Sequence, residues 1–474
     1  MYLAQLLNGL SYQIYGAGNP QITSLSCDTS TVRQGCLFFC LKGSSYDGHE
    51  FFRKAIGDGA VAIVCQHKLE TQALQIVVDD TRSAMSVIAK NFYDGCVDKL
   101  KVITVVGTNG KTSTSYILEA ILNKAGYNTA VIGTNGIYFN GQKHANNLTT
   151  PDPIELHYWF KQMYLNKVQV VVMEVSAHAI ALHKMYGIVS DLAIFTNFSQ
   201  DHLDFFHTME NYRLVKKSYF NEKNVKNIVT NIDDDLGREL VGSIPAATYS
   251  AVGPADVVAS NIDITQDLTR YDINAFGQNG TVNTHLAGMF SVYNTLSAIT
   301  ASAVLGIDID TAINAVCEII GVSGRNETII RNDGARIVVD FAHTPDGMEN
   351  ILKYLRATTK GKLIVVFGCG GNRDKFKRPR VAEKVSAYAD FAVLTNDNPR
   401  FEDPRLIARD ICECLTCNYK VILNRSQATE FALSAAKKDD TVAILGKGAE
   451  EYQDIKGRKF PYSDIDVVRN LLKV

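Results

Sequence analysis

The chain has 474 residues, 48 Lys+Arg against 50 Asp+Glu, a formal net charge of −2, and 46% hydrophobic and 21% charged residues. That balance excludes an intrinsically disordered chain and argues against a nucleic-acid binder held by a broad basic face. With 10 Pro and 34 Gly, collagen-like and mucin-like compositions are excluded as well, and the length predicts about three domains.

The opening MYLAQLLNGLSYQ has no basic residue before Arg33, so no secretory signal with a positive n-region is expected. LFFCL (37–41), AVAIVC (60–65) and LQIVVD (74–79) are apolar runs broken by turn residues and predict short strands. KVITVV (101–106) is a continuous β-branched run and predicts a buried strand. GTNGKTS (107–113) follows, then STSYILEAILNKAG, in which Leu118, Ile121 and Leu122 share a helical face and Gly126 suits the stop. VQVVVMEV (168–175), DLAIFT (191–196) and NIVT (227–230) predict further buried strands, and a helix is expected from Met209 to Phe220. Between 250 and 290 the pattern alternates, with a hairpin turn expected at QNGT (278–281). Ile273 to Leu305 carries no Asp, Glu, Lys or Arg, yet its many Asn, Thr, Ser and Gly residues exclude a transmembrane reading. Gly321 to Arg325 reads as a hinge. RIVVDFA (336–342), KLIVVFG (362–368), FAVLT (391–395), KVILN (420–424) and TVAILG (441–446) then alternate with helical segments and predict a mostly parallel sheet. The 10 Cys are scattered, which favours free thiols in a reducing cytosol. Cys412, Cys414 and Cys417 lack a nearby fourth ligand, so a helix reading is favoured over zinc.

The strongest motif is Gly107 to Ser113. Its glycines let backbone N–H groups close around phosphate oxygens at a helix N-terminus, Lys111 can reach a β/γ-phosphate, and Thr112 can ligate Mg²⁺. The common eight-residue phosphate loop would have Gly where this chain has Val105, so the shorter form stands on its strand–loop–helix context. Glu174 ends one buried strand, where an acid is costly unless paired or metal-bound. His202 follows the next strand; alone it would read as a surface or capping histidine, but two polar strand ends beside a phosphate loop favour a site. Lys216, by residue type and helical position, is equally a solvated helix lysine. Asp340 to Asp346, Phe367 to Asp374 and Asp397 to Arg400 each end a strand of the second set, which predicts one shared binding face.

Taken together, GTNGKTS, TTPDP (149–153), MEVSAHA, TNFSQDHLDFFHTMENY, GRNE (324–327), DFAHTPD, FGCGGNRDKFKRP and DNPR resemble the Mur ligase family over nearly the whole chain. The phosphate loop is shared with folylpolyglutamate synthetases, whereas FGCGGNRD with DNPR is more specific to the members that add the third amino acid. The resemblance implies an α/β, three-domain architecture: a UDP-sugar-binding domain over 1–86, a central P-loop ATP-binding parallel sheet over 87–329, and a Rossmann-like, amino-acid-binding domain over 330–474. It implies ATP-dependent addition of meso-2,6-diaminopimelate to UDP-N-acetylmuramoyl-L-alanyl-D-glutamate in cytoplasmic peptidoglycan-precursor synthesis, with Mg²⁺ as cofactor. It further implies a monomer with no nucleic-acid or membrane partner.

By the same resemblance, Gly107, Thr108, Asn109, Gly110, Lys111, Thr112 and Ser113 would bind ATP with Asn294, Arg325, Asp340 and His343. Thr112, Glu174, His202 and a carbamylated Lys216 would hold Mg²⁺, and Lys111, Glu174, His202 and Lys216 would be catalytic. Cys27, Thr29, Ser44, Ser45 and Tyr46 would hold the UDP-sugar, and Thr149, Thr150, Ser176 and Lys184 its peptide end. Arg373, Asp397, Asn398, Pro399, Arg400, Gly446 and Glu450 would bind the amino acid, with Arg373 and Arg400 on its distal carboxylate and Asp397 and Glu450 on its distal ammonium. Four positions depart from the family pattern: Ala177 for a second Ser, Lys184 for Arg, Ser323 for Pro and Ala449 for His. Three rival readings remain open: the same ligation with L-lysine or another diamino acid, a folylpolyglutamate synthetase, and a non-catalytic nucleotide-binding regulator.

Overall fold

The computed structural model describes residues 1–43, 46–146, 148–242 and 244–473. The chain forms two compact units. Met1–Thr104, Tyr127–Ala193 and Ser218–Asn227 make the first, and Val105–Gly126, Ile194–Lys217 and the chain from Ile228 onward make the second.

The first unit opens with a five-stranded sheet in the order Gln13–Tyr15, Gln75–Val77, Ala60–Cys65, Cys36–Phe39, Ser24–Ser26. Only Gln13–Tyr15 runs antiparallel to its neighbour. Side chains alternate across it: Leu37, Phe39, Val64 and Ile76 enter one core with Leu3 and Ile88, while Cys36, Phe38, Ile63 and Cys65 enter the other. Asp80 caps the helix Thr81–Phe92 by accepting from the N–H groups of Arg82 and Ser83. Farther along, Val170–Val175 pairs in parallel with Thr129–Gly133, placing Glu174 near its carboxyl end.

Helix Pro153–Leu165 of this unit buries His157, whose Nε2 has no hydrogen-bond partner among the described residues. Burial, then the Lys90 ammonium, pushes its imidazole down to about 3. The unfolded chain binds that proton near 6.5, so this contribution to stability is complete above that pH and is lost as pH falls from there toward 3. Acidification from pH 7 to pH 5 is therefore expected to cost about 2 kcal/mol through this residue. Urea unfolding at the two pH values should show a difference smaller by that amount in His157→Leu; an unaltered difference would remove His157 from the account.

In the second unit, helices Lys111–Lys124 and Met289–Val304 pack together, joined by a Thr114–Ser297 hydroxyl contact of 3.2 Å. Strands Val257–Ile264, Thr269–Ala275 and Gln278–Thr284 form an antiparallel meander. The expected turn at QNGT is displaced: Phe276 and Gly277, at φ 51° and 85°, make the two-residue turn, and Asn279–Gly280 lie inside a strand. Gly280 serves packing there, since a Cβ on it would lie 2.5 Å from Ile313 Cδ1.

The six-stranded sheet of the same unit runs Glu327–Ile330, Arg336–Asp340, Thr441–Leu445, Leu363–Phe367, Phe391–Leu394, Tyr419–Val421. All neighbours after the first pair are parallel, as the sequence predicts. Val338, Val365, Leu394 and Ala443 face one core and Ile337, Ile364, Val393 and Ile444 the other, so helices cover both faces. The loops after Asp340, Phe367, Leu394 and Leu445 thus leave one edge of the sheet. Fully buried Arg425 fixes two of those strand ends. It makes 2.8 Å bonds from Nε and NH2 to Asp464 and donates to the Leu445 and Asn396 carbonyls at 2.9 and 3.3 Å. The helix reading of the cysteine cluster holds only for Cys412, which ends Pro404–Cys412; Cys414 and Cys417 follow it, and all three pack against the core.

Candidate active site

The phosphate loop is shaped by what its glycines leave room for. A Cβ on Gly107 would lie 1.8 Å from Thr196 Oγ1, and one on Gly110 2.4 Å from Asn294 Oδ1. Gly110 also sits at φ 84°, as the N-cap of Lys111–Lys124. The Thr108 and Asn109 N–H groups donate to the Asn197 carbonyl and side-chain oxygens, each at 2.9 Å. Lys111 Nζ donates to the Gly107 and Thr108 carbonyls at 3.0 and 2.8 Å, which holds the ammonium over the loop.

Residues more than two hundred positions away close on this loop. Arg325 NH2 donates to Thr112 Oγ1 at 2.8 Å, and its guanidinium stacks 4.2 Å from the Phe341 ring centroid. Asn109 Nδ2 donates to Asp346 at 2.8 Å, and the Thr344 hydroxyl donates to Asn109 Oδ1 at 3.1 Å. Asp340 accepts from the Asn326 and Ala342 N–H groups at 2.7 and 2.6 Å. Burial raises its carboxyl above the ordinary value, with Arg325 and those N–H groups opposing. His343 Nδ1 contacts the Phe341 carbonyl at 3.0 Å, while its Nε2 points toward Asp201 at 3.7 Å.

Asp201 is the residue that sequence reasoning missed. It is buried, 3.3 Å from His202 Nε2 and 3.7 Å from Lys377 Nζ. Burial alone would raise its carboxyl, but Lys377, then His202 and His343, hold it well below the usual carboxylate range. Its position directly before His202 was the available signal. His202 itself takes φ 56° at the N-cap position of the short helix Leu203–Phe206, without a side-chain capping bond.

Lys216 is not a solvated helix lysine: it is 1% exposed, with Nζ 4.9 Å from the Tyr212 ring centroid. Burial, then the Lys111 ammonium, lowers it well below the ordinary lysine value, against the pull of Asp201 and Asp234. The charged form of this lysine is thereby disfavoured.

In the first unit, Glu174 is 1% exposed and accepts from the Thr134 N–H and hydroxyl at 2.9 and 3.1 Å. Thr149 meets the same Thr134 hydroxyl at 3.1 Å. Thr150 donates to the Glu174 carbonyl at 2.9 Å and accepts from the Ser176 N–H at 3.1 Å. Lys184 is buried, donating to the Thr150 carbonyl at 3.1 Å and pairing with Asp152 at 2.9 Å. The structure therefore gathers Thr149, Thr150, Ser176 and Lys184 around Glu174, and adds Asp152, which lies in the TTPDP segment but was not singled out, and Thr134, which carried no sequence signal. Cys27 and Tyr46 are exposed, and Thr29 accepts from Lys54 Nζ at 3.3 Å. Ser44 and Ser45 lie outside the described residues.

The proposed amino-acid residues gather at the sheet edge of the second unit. Arg400 takes φ 51°, and its NH1 donates to the Gly371 carbonyl at 2.8 Å. Gly446 is required by close approach, since its Cβ would lie 2.7 Å from Asp397 Oδ2. Pro399 leads from Asn398 into Arg400, and the Gly371 N–H donates to the Asn398 carbonyl at 2.9 Å. Arg373 lies farther out, 3.7 Å from Asp204. The two acids expected to take a distal ammonium are already engaged. Glu450 accepts from the buried Lys447 Nζ at 2.6 Å and from Asn398 Nδ2 at 3.0 Å. Burial would raise the Asp397 carboxyl, but Lys447 and Arg425 hold it below the usual value.

This fold and these loops define a ligase class. Three family models match: "Mur ligase family, catalytic domain" over residues 21–93, "Mur ligase middle domain" over 105–302, and "Mur ligase, glutamate ligase domain" over 324–448. The chain belongs to the Mur ligase family of ATP-dependent, peptide-bond-forming enzymes and has its three-domain α/β fold. It is 39% identical over 481 residues to UDP-N-acetylmuramoyl-L-alanyl-D-glutamate–2,6-diaminopimelate ligase 1 of Clostridium acetobutylicum, covering 100% of this chain and 99% of that one. It is 40% identical to the corresponding Bacillus velezensis ligase, over 95% of this chain and 94% of that one. A solved structure of a UDP-N-acetylmuramoyl-L-alanyl-D-glutamate–2,6-diaminopimelate ligase superposes with a TM-score of 0.68 at 29% identity, covering 95% of each chain.

Proposed function

We propose that this chain joins meso-2,6-diaminopimelate to UDP-N-acetylmuramoyl-L-alanyl-D-glutamate at the expense of ATP, as a cytoplasmic monomer without nucleic-acid or membrane partners. The full-length likeness to 2,6-diaminopimelate ligases supports the substrates. The observation that carries the chemistry is the clasp of Arg325, Thr344 and Asp346 on Thr112 and Asn109, which joins a phosphate loop to an amino-acid-binding module. Among the described residues no helix is long and apolar enough to cross a membrane. The proposed domains are 1–86, 87–329 and 330–474.

A carboxylate does not acylate an amine directly, because oxide would have to leave. In the proposed route an oxygen of the D-glutamyl γ-carboxylate attacks the γ-phosphorus of ATP, the bond to the bridging oxygen breaks, and ADP departs. Lys111 and the loop N–H groups neutralise charge on the transferring phosphoryl. Asn294, Arg325, Asp340 and His343 hold the nucleotide. The diaminopimelate amine, having lost a proton, then attacks the acyl carbon, the acyl C–O bond breaks, phosphate leaves carrying the oxygen that had attacked phosphorus, and the nitrogen gives up a second proton to become the amide. Water must stay away from the acyl phosphate, which the Gly321 to Arg325 hinge serves by letting the C-terminal module close.

The residues fit Mg²⁺: a hydroxyl at Thr112, an imidazole at His202, and at Lys216 a buried amine whose charged form is disfavoured and which, on adding CO₂, would become an anionic carbamate. Glu174 is proposed for the same metal from the resemblance of its segment. Bound there, Mg²⁺ would supply charge neutralisation on the phosphates. The test is phosphate release from full-length protein with ATP, Mg²⁺, the UDP-dipeptide and one amino acid at a time. Release with diaminopimelate alone is expected. Preference for L-lysine would change the substrate, and no release with any amino acid would favour the regulator.

A further inference from the structure

We propose that Asp454 is a positioning residue that sets the distal-centre specificity of the amino-acid site, by orienting Arg400 and offsetting its charge. This deepens the reading above and rests on it.

Asp454 lies on strand Tyr452–Ile455, the first arm of a hairpin with Arg458–Pro461. Four bonds tie that arm and the turn after it to the Asp397–Arg400 loop. Gln453 Nε2 donates to the Asp397 carbonyl at 2.9 Å, and the Asp454 N–H donates to Asn398 Oδ1 at 2.9 Å. The Arg400 N–H donates to the Asp454 carbonyl at 2.9 Å, while the Lys456 N–H donates to the Arg400 carbonyl at 2.7 Å. Arg400 thus keeps a left-handed backbone, uncommon outside glycine, because bonds on both sides of it hold the loop.

The side chain adds charge to this grip. Asp454 Oδ2 stands 3.7 Å from Arg400 Nε, and Oδ1 accepts from the Gly457 N–H at 3.1 Å. With NH1 on the Gly371 carbonyl at 2.8 Å, the guanidinium is contacted at two of its three nitrogens, NH1 by a hydrogen bond and Nε by the ion pair. Burial, then Arg373, lowers the Arg400 guanidinium from its ordinary value, and Asp397, Asp454 and Glu450 oppose that shift. Glu450 is itself paired with Lys447 at 2.6 Å, and Asp397 Oδ1 accepts from the Asn398 N–H at 2.6 Å, whereas Asp454 stands within ion-pair distance of the Arg400 guanidinium. A cation paired with its own carboxylate matches a distal centre carrying both an ammonium and a carboxylate. Without that acid, the site becomes a bare cation that suits a lone carboxylate.

The test compares kcat/KM for meso-diaminopimelate with that for 2-aminopimelate, which keeps the distal carboxylate but lacks the ammonium. In Asp454→Asn the ratio of the two should fall tenfold or more, chiefly through KM, and Asp454→Glu should recover part of it. Thermal unfolding monitors folding, and Asp454→Ser is the second variant should Asn destabilise the hairpin. Equal losses on both substrates would assign Asp454 a purely structural role and overturn the proposal. A parent enzyme that ligates lysine but not diaminopimelate would instead overturn the reading beneath it.

Discussion

Replacing Lys216 with alanine is expected to lower phosphate release in the complete ligation mixture by on the order of 10²- to 10³-fold or more, the scale on which removal of a single group stabilising transition-state charge is felt. Added bicarbonate should not restore it. The reason begins with burial. Lys216 is almost fully enclosed, above the Tyr212 ring and under the influence of the Lys111 ammonium, so its charged form is disfavoured. An amine in that state can form a C–N bond to CO₂ and lose a proton, replacing a cation that repels Mg²⁺ with an anionic oxygen ligand. Alanine cannot make that bond, and its methyl group leaves a gap in the core besides. The variant's unfolding midpoint separates the two effects: a folded, inactive protein supports the carbamate reading. Near-parental turnover would make Lys216 a buried lysine without a part in the chemistry.

The second large effect is expected at Arg400. Arg400→Ala should lose about 2–5 kcal/mol of diaminopimelate binding, the cost of breaking a desolvated charge pair, which is roughly 30-fold or more in affinity. L-Lysine, lacking the distal carboxylate, should change little. The expectation stands on a guanidinium held at NH1 by the Gly371 carbonyl and at Nε by Asp454, so that little ordering remains to be done when substrate arrives. Diaminopimelate kinetics equal to the parent's would refute the assignment.

Much of this fold is legible from one dimension, because the signals are local. KVITVV and AVAIVC coincide with their strands, Lys111–Lys124 begins inside the phosphate motif, and the second parallel set follows from alternation. The misplaced hairpin turn has a physical cause. Asn279–Gly280 carries the strongest turn signature, but its glycine is needed to admit Ile313, and Phe276–Gly277 takes the positive φ angles instead. The site was less legible where it is built from distant pairs. Nothing local in TNFSQDH says that Asp201 faces Lys377 and His343, that Asn109 meets Asp346, or that Lys447 occupies Glu450, one of the two acids expected to bind an ammonium. Burial at Lys216 was hidden for the same reason, since its helix is amphipathic with polar neighbours.

The two bonds on the Asn109 amide, one to Asp346 and one from Thr344, have a thermodynamic consequence. A single side chain of the phosphate loop thus bonds to the segment that follows strand Arg336–Asp340, and on the proposed function that segment belongs to the amino-acid-binding module. If a ligand of the loop favours this clasped arrangement, reciprocity requires that a ligand of the module favouring the same arrangement tighten the first, and be tightened by it, by the same factor.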